Sequence, residues 1–305
     1  MSATEPIQIT PAAEAPQVLA PVTDSVFAAR ARRFEQLAAG HSLGDWLRFL
    51  AALTRAQHDA LQSMPTPALP DAEKLALARE HGMPPLPAQS WPRPAVWREV
   101  LNTICAQLAP DAPEIARKDL IRLQSLPTEA LEALAARVLN TELHGEDAAL
   151  LPYVAAALQV LWTAAAARLD GEIAALDEVH GVCPCCGSLP VASVVRSSGA
   201  ANLRYLHCSL CNTEWNLVRV KCASCAATAG ISYRHIEGGK LAHLPPDAVC
   251  AETCDSCKSY LKIIYQEKGG VDAVADDLAT LALDILIDEA GYSRSGPNLL
   301  LVPSV

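Results

Sequence analysis

Four Cys-x-x-Cys pairs crowd into one stretch of this 305-residue chain: Cys183 with Cys186, Cys208 with Cys211, Cys222 with Cys225, and Cys254 with Cys257. A Cys-x-x-Cys turn aims two thiolates at one tetrahedral ion while its backbone N–H groups face the sulfurs, and two such knuckles complete a four-thiolate site. Twenty-one residues separate the first two pairs and twenty-eight the last two, enough in each case for a hairpin that brings two knuckles together. The sequential pairing is therefore Cys183, Cys186, Cys208 and Cys211 for one site and Cys222, Cys225, Cys254 and Cys257 for the other, although an interleaved arrangement also satisfies valence. A closed four-thiolate site contributes about 10–16 kcal/mol of apparent binding free energy to folding. It leaves no open coordination position, which argues against Lewis-acid hydrolysis.

The residue after the second cysteine of a knuckle often needs a left-handed backbone, which suits Gly187 and Asn212 better than Ala226 and Lys258. Zinc and iron both accept four thiolates, so spacing does not choose between them. The Cys183-Pro184-Cys185-Cys186-Gly187 knuckle is similar to that of rubredoxin, which tilts the reading toward iron, with zinc as the alternative. Cys185, inside that knuckle, is read as a passenger, with a solvent-facing thiol and a replacement ligand as alternatives. Cys105 and Cys250 are read as buried small apolar residues. His207 and His235 lie close in sequence to the sites, yet four complete pairs leave them no vacancy.

The rest of the chain is helical in pattern. Apolar residues make up 51% of the sequence and aromatics only 5%, which favours packed helices over a strand-rich sandwich. Residues 1–24 are interrupted by Pro6, Pro11, Pro16 and Pro21 and read as a flexible leader. Phe27, Ala31, Phe34 and Ala38 mark one helical face, and Trp46, Leu50, Leu53 and Leu61 a second, with Gly40 between them. Met64 to Pro94 is a proline-rich connector with room for one short helix near Asp71 to Glu80. Helical patterns resume at Ala95–Leu108, Ala112–Leu123 and Thr128–Leu139, the last with Thr128 as its expected cap. A long apolar helix follows Glu146, making about seven before residue 180. Its segment from Leu150 to Ala167 has no charged residue and is long enough to consider as a membrane span. Pro152, Gln159, the abundant alanines and the lack of a basic flank favour a helix through the middle of a bundle.

Short strands are expected at Leu189–Val194, Asn202–His207, Trp215–Val220 and Ile231–Ile236, forming two similar units in tandem. After Gly270 one helix is expected, with Val274, Leu278, Leu281 and Ile285 inward and Asp276, Asp277, Asp284 and Asp288 mainly solvent-facing, ended by Gly291. The fold class is α+β: an N-terminal α-helical bundle, two tandem small rubredoxin-like or zinc-ribbon-like β modules, and a C-terminal helix. The expected divisions are a leader at 1–24, a helical domain at 25–180, metal modules at 181–220 and 221–270, and a closing helix and tail at 271–305. A formal net charge of −10 argues against general affinity for nucleic acid or anionic membranes. The N-terminal residues carry no positive region followed by an apolar core, so the expectation is a cytoplasmic protein.

The combination resembles the formate dehydrogenase accessory protein FdhE family. The resemblance rests on the four knuckles, on Cys254-Asp255-Ser256-Cys257-Lys258-Ser259-Tyr260-Leu261-Lys262, and on the closing Ala275-Asp276-Asp277-Leu278-Ala279-Thr280-Leu281-Ala282-Leu283-Asp284 with Glu289-Ala290-Gly291-Tyr292. It implies a cytoplasmic maturation factor, not an enzyme, that contacts the catalytic subunit of respiratory formate dehydrogenase before export and carries rubredoxin-type iron. Cys185 and the proline-rich leader have no counterpart in the family pattern. No Gly-rich phosphate loop, nucleophile elbow or His-Glu metal helix suggests a catalytic site. The competing readings are a zinc-ribbon nucleic-acid binder and a redox protein that passes electrons through thiolate-bound iron. No membrane insertion is expected, and a homodimer remains open.

Overall fold

The computed structural model describes residues 16–174, 181–197, 202–236, 244–245 and 247–302. Most of the expected leader, the expected boundary at residue 180 and the last residues of the tail lie outside that set. Among the described residues seven α-helices come first: α1 (Val26–Ala38), α2 (Gly44–Ser63), α3 (Ala72–Glu80), α4 (Val96–Leu108), α5 (Glu114–Ser125), α6 (Thr128–Leu139) and α7 (Leu151–Ala167). The apolar stripes explain their packing. Phe27 and Phe34 of α1 and Leu47, Leu50 and Leu53 of α2 are buried in one core, and Ala31 is buried beside them in sequence. The short α3, capped by the Asp71 carboxylate accepting from the Lys74 N–H at 2.9 Å, buries none of its residues. Thr128 is not the cap of α6: Pro127 holds that position, and Thr128 is the first helical residue.

Helix α7 is the axis of the bundle. Every residue from Tyr153 to Ala166 is buried, and 89% of its apolar window lies inside the protein. Pro152 sits in the first turn, where its missing N–H would have had no partner in any case. The two polar positions on this helix, Gln159 and Thr163, are each hydrogen-bonded, as burial requires.

Beyond the helices the chain forms strands β1 (Val18–Leu19), β2 (Pro190–Val195), β3 (Arg204–Cys208), β4 (Glu214–Asn216), β5 (Ile231–Arg234), β6 (Val249–Cys254), β7 (Ser259–Tyr265) and β8 (Ser293–Arg294). Strand β1 comes from the segment expected to be a flexible leader: Val18 pairs with Trp215 and Leu19 with Glu214. The expected strand at Trp215–Val220 is shorter, Glu214–Asn216, and the chain has left the sheet before it turns at Val220, whose φ is 59°.

Strands β6 and β7 escaped the sequence reading. Together with β5 they form an antiparallel meander, as β2, β3 and β4 do, so each four-cysteine unit is a three-stranded ribbon with a knuckle before its first strand and another before its last. The ribbons share one sheet. Its order, β1-β4-β3-β2-β7-β6-β5, is closed in the middle by parallel pairing of β2 with β7, Ser193 opposite Ile263.

The closing helix is two helices, α8 (Ala273–Leu278) and α9 (Leu281–Glu289), with Gly291 at φ 85° ending the second. Asp276 and Asp277 do not face solvent as expected; both are fully buried. Asp276 pairs with Arg33 of α1 at 2.5 Å, and the Asp272 cap of α8 pairs with the buried Arg30 at 3.0 Å. Asp277 forms ion pairs with Arg294 at 2.7 Å and the Lys262 ammonium at 3.2 Å, and accepts from the Asn298 amide at 2.8 Å. Ile285, expected inward, is 61% exposed, because the break after α8 rotates that position outward. Buried charges of this kind are retained when each has its partners, and loss of one partner leaves the other stranded. Asp277→Ala should therefore lower unfolding stability by about 3–5 kcal/mol, while Asp288→Ala on the exposed side of α9 should stay within about 0.5 kcal/mol of the parent; urea titration of both variants separates the two.

Candidate metal centres

The structure gathers Cys183, Cys186, Cys208 and Cys211 into one group and Cys222, Cys225, Cys254 and Cys257 into another, the sulfurs of each within 4.8 Å of one another. In the first group the Cys183 and Cys211 sulfurs are 3.5 Å apart and those of Cys186 and Cys208 3.4 Å. In the second, Cys222 to Cys257 and Cys225 to Cys254 are both 3.7 Å. Four sulfurs each about 2.3 Å from a tetrahedral ion are separated by about 3.8 Å, so both sets fit a bound ion. All eight belong to the free cysteines, and every donor is soft, which suits zinc or iron.

Each knuckle is built the same way. In three of them the first cysteine's N–H donates to a carbonyl beyond the turn: Cys183 to Ser188 at 2.8 Å, Cys208 to Thr213 at 3.0 Å and Cys222 to Ala227 at 2.9 Å. Backbone N–H groups of Leu210 and Cys211 donate to the Cys208 sulfur, and that of Ser224 to the Cys222 sulfur, at 3.3–3.4 Å. The residue after each second cysteine is left-handed: Gly187 at φ 75°, Asn212 at 59°, Ala226 at 61° and Lys258 at 54°. The tight turn demands that conformation, so Ala226 and Lys258 adopt it despite their Cβ atoms.

The first centre is enclosed. Its four cysteines are no more than 1% exposed. The proline-rich segment expected to be a plain connector clamps it: the N–H groups of Leu86 and Ala88 donate to the carbonyls of Cys185 and Cys186 at 2.9 and 2.8 Å. Trp162 of α7 donates to the Leu86 carbonyl at 3.0 Å and packs edge-on against Trp91. From the other side, Gln159 donates to the Ser209 carbonyl at 2.8 Å, and the Asn212 amide donates to Thr163 at 2.8 Å while its oxygen accepts from Arg30 at 2.9 Å. A cleft lined by Met83, Pro84, Ser188 and Leu210 reaches the edge of this centre at Cys186. Without an ion, burial pushes the Cys183 and Cys208 thiols well above their ordinary range. Thiolates are stable there only beside a compensating positive charge.

The second centre opens to solvent. Cys222 and Cys254 are buried, but Cys225 and Cys257 are exposed. A chain of hydroxyls runs along this rim: Ser259 lies 2.9 Å from the Cys257 sulfur and 3.3 Å from Ser224, which donates to Ser295 at 2.8 Å. Partial burial opposes ionisation of Cys257, but the Ser259 hydroxyl and neighbouring thiols outweigh it and bring that thiol down to about 7.

Cys185 is fully buried beside Cys211, and that neighbour together with burial raises its thiol well above the ordinary range, which removes the solvent-facing alternative. Cys105 and Cys250 are buried, and burial raises the thiol of Cys105 to about 12. His235 is exposed after β5. His207, given no part from sequence, holds the knuckle: its Nε2 is 3.1 Å from the Asn212 oxygen and its Nδ1 3.2 Å from Glu214. Burial works against the Glu214 carboxylate, and His207 and Arg196 outweigh it, keeping it below the usual range. Arg30, Gln159 and Thr163 were also missed as supports of the first centre. The available signal was polarity: Gln159 interrupts an otherwise apolar helix.

Three family descriptions match consecutive parts of the chain: FdhE N-terminal over residues 15–177, FdhE central domain over 182–219 and FdhE C-terminal domain over 220–301. Among curated relatives, the FdhE homologue of Edwardsiella ictaluri is 44% identical over 290 residues, 94% of this chain and 91% of the relative. The homologue of Pseudomonas aeruginosa is 40% identical, covering 98% and 97%. The crystal structure of the FdhE protein from Pseudomonas aeruginosa superposes with a TM-score of 0.84 at 39% identity, covering 95% of this chain and 100% of that one.

Two outcomes follow from the knuckle geometry. Cys183→Ser should lose one bound ion and keep the second; survival of an ion bound through Cys208 would disprove the grouping, and metal analysis with cysteine alkylation of the folded protein reads it. At Gly187 a Cβ would add left-handed strain and stand 3.5 Å from the Pro84 ring, so Gly187→Ala should cost about 1–2 kcal/mol, read as a lower unfolding midpoint in thermal or denaturant scans.

Proposed function

This chain belongs to the FdhE family, and from that premise we propose that it is a cytoplasmic accessory protein, without catalytic activity of its own, that binds the catalytic subunit of a respiratory formate dehydrogenase and helps it become active. The observation that carries this reading is family membership across nearly the whole chain, with both four-cysteine sets brought together in space. In this reading helix α5 supplies exposed apolar surface for a client, with Ile115 at 77% and Ile121 at 56% exposure.

In this reading Cys183, Cys186, Cys208 and Cys211 hold one ion and Cys222, Cys225, Cys254 and Cys257 a second, iron being favoured over zinc by the rubredoxin-like knuckle. A four-thiolate ion supplies cross-linking of the ribbons and, if it is iron, a one-electron couple. The residues do the rest. Backbone N–H groups at Leu210, Cys211 and Ser224 orient and partly neutralise sulfurs, and Asn212, held by Arg30 and Thr163, ties the first centre to the helices. A second reading, electron exchange with the client, is favoured by the exposure of Cys225 and Cys257 at the protein surface.

A strain lacking this protein should lose formate oxidation by its respiratory enzyme, and the tagged protein should co-purify with a cofactor-poor catalytic subunit; normal formate oxidation in that strain would count decisively against the proposal. Metal analysis and visible absorption after anaerobic purification divide the two readings: two irons that bleach reversibly on reduction support electron exchange, while two zincs leave docking and structure.

A further inference from the structure

The two centres are alike in ligands and unlike in surroundings. In the first, all four sulfurs lie beneath the Leu86–Ala88 segment and α7, and both knuckles are hydrogen-bonded to the helical region through Leu86, Ala88, Gln159 and Asn212. The second sits on the β5–β6–β7 ribbon, beside the end of α9. Its knuckles are held by the Asp255 N–H donating to Gly230 at 2.9 Å, by Tyr292 donating to the Asp255 carboxylate at 2.8 Å, and by the serine rim. Its turns also place Ala226 and Lys258 in the left-handed region, where the first centre has Gly187 and Asn212.

We propose that the two ions differ in exchange: the one held by Cys222, Cys225, Cys254 and Cys257 leaves and reloads through its Cys225–Cys257 edge while the protein stays folded, whereas the one held by Cys183, Cys186, Cys208 and Cys211 is locked in until the helical region opens. This rests on the reading that both sets hold metal. A competing ligand must approach the ion and displace thiolates one at a time, and each freed thiolate must then be solvated or protonated. At Cys225 and Cys257 water is already present to do both, and Ser259 stands 2.9 Å from the Cys257 sulfur as a hydrogen-bond partner for the departing thiolate. At the first centre Thr213 lies 3.2 Å from the Cys211 sulfur, but all four cysteines are closed off from water, so the same step would leave an anion that solvent cannot reach, which costs more. The cleft beside Cys186 does not remove that barrier, since the residue is only 1% exposed. The second centre is thus the one able to give up or accept an ion in exchange with thiol or aminocarboxylate ligands.

The test uses the full-length chain, purified anaerobically, loaded with cobalt as a coloured probe and challenged with excess EDTA. Two ions per chain are expected, with half of the thiolate-to-cobalt absorption lost in a fast phase and half in a phase at least about tenfold slower. Cys257→Ser should remove the fast phase and leave the slow amplitude intact. Alkylation of the unaltered protein after the fast phase, mapped by mass spectrometry, should label Cys225 and Cys257 first and spare Cys183, Cys186, Cys208 and Cys211. Two ions leaving in a single phase, or label appearing first at Cys183 or Cys208, would overturn the proposal while the metal reading stands. A folded chain that takes up no cobalt would overturn both.

Discussion

Sulfur charge is the constraint on which the C-terminal half is built. Four thiolates gathered within van der Waals reach repel one another, and a cation seated among them would neutralise that charge. The knuckles then fix where strands begin and end: β3 and β6 each run into a cysteine, Cys208 and Cys254, and the turn that follows launches β4 or β7. Two ribbons too small to have cores of their own thereby obtain fixed ends, and pairing β2 with β7 merges them into one sheet.

That sheet is joined to the bundle by polar contacts as much as by apolar ones. Gln159 and Thr163 place hydrogen-bonding groups from the most buried helix against the second knuckle of the first centre, while Gln57 donates to Gln159 at 2.9 Å and completes the chain of contacts back into α2. On the other flank Arg30 reaches both Asn212 and Asp272, so one guanidinium bridges a knuckle turn and the cap of α8. A polar group buried without its partner costs more than an apolar replacement, so contacts of this kind define one relative placement of bundle and sheet.

Much of this was legible in the sequence, because the strongest patterns are local. The 3.6-residue stripes placed the helices to within a few residues, and the Cys-x-x-Cys spacing named both groups of sulfurs that the fold brings together. What escaped was nonlocal. Strand β7, Ser259–Tyr265, carries Lys262 at its centre, and nothing nearby announces that this lysine is buried against Asp277 and Asp284. The same pairing misled the reading of the closing helix, since Asp276 and Asp277 look like a solvated face until Arg33, Lys262 and Arg294 are seen around them. His207 was passed over for a related reason: four cysteine pairs leave it no place as a ligand, but they do not exclude it as a brace for Asn212.

The bridge between Arg30 and Asp272 spans 242 positions of the chain. A ribosome releases α1 with two arginines destined for the interior and delivers the first of their carboxylate partners only 242 residues later. The nascent bundle must wait in an unsealed state, with Arg30 and Arg33 still hydrated, until α8 emerges and docks. Synthesis cut short before α8 would yield the helices and both sets of cysteines without the charges that close the fold, a product suited to degradation more than to service.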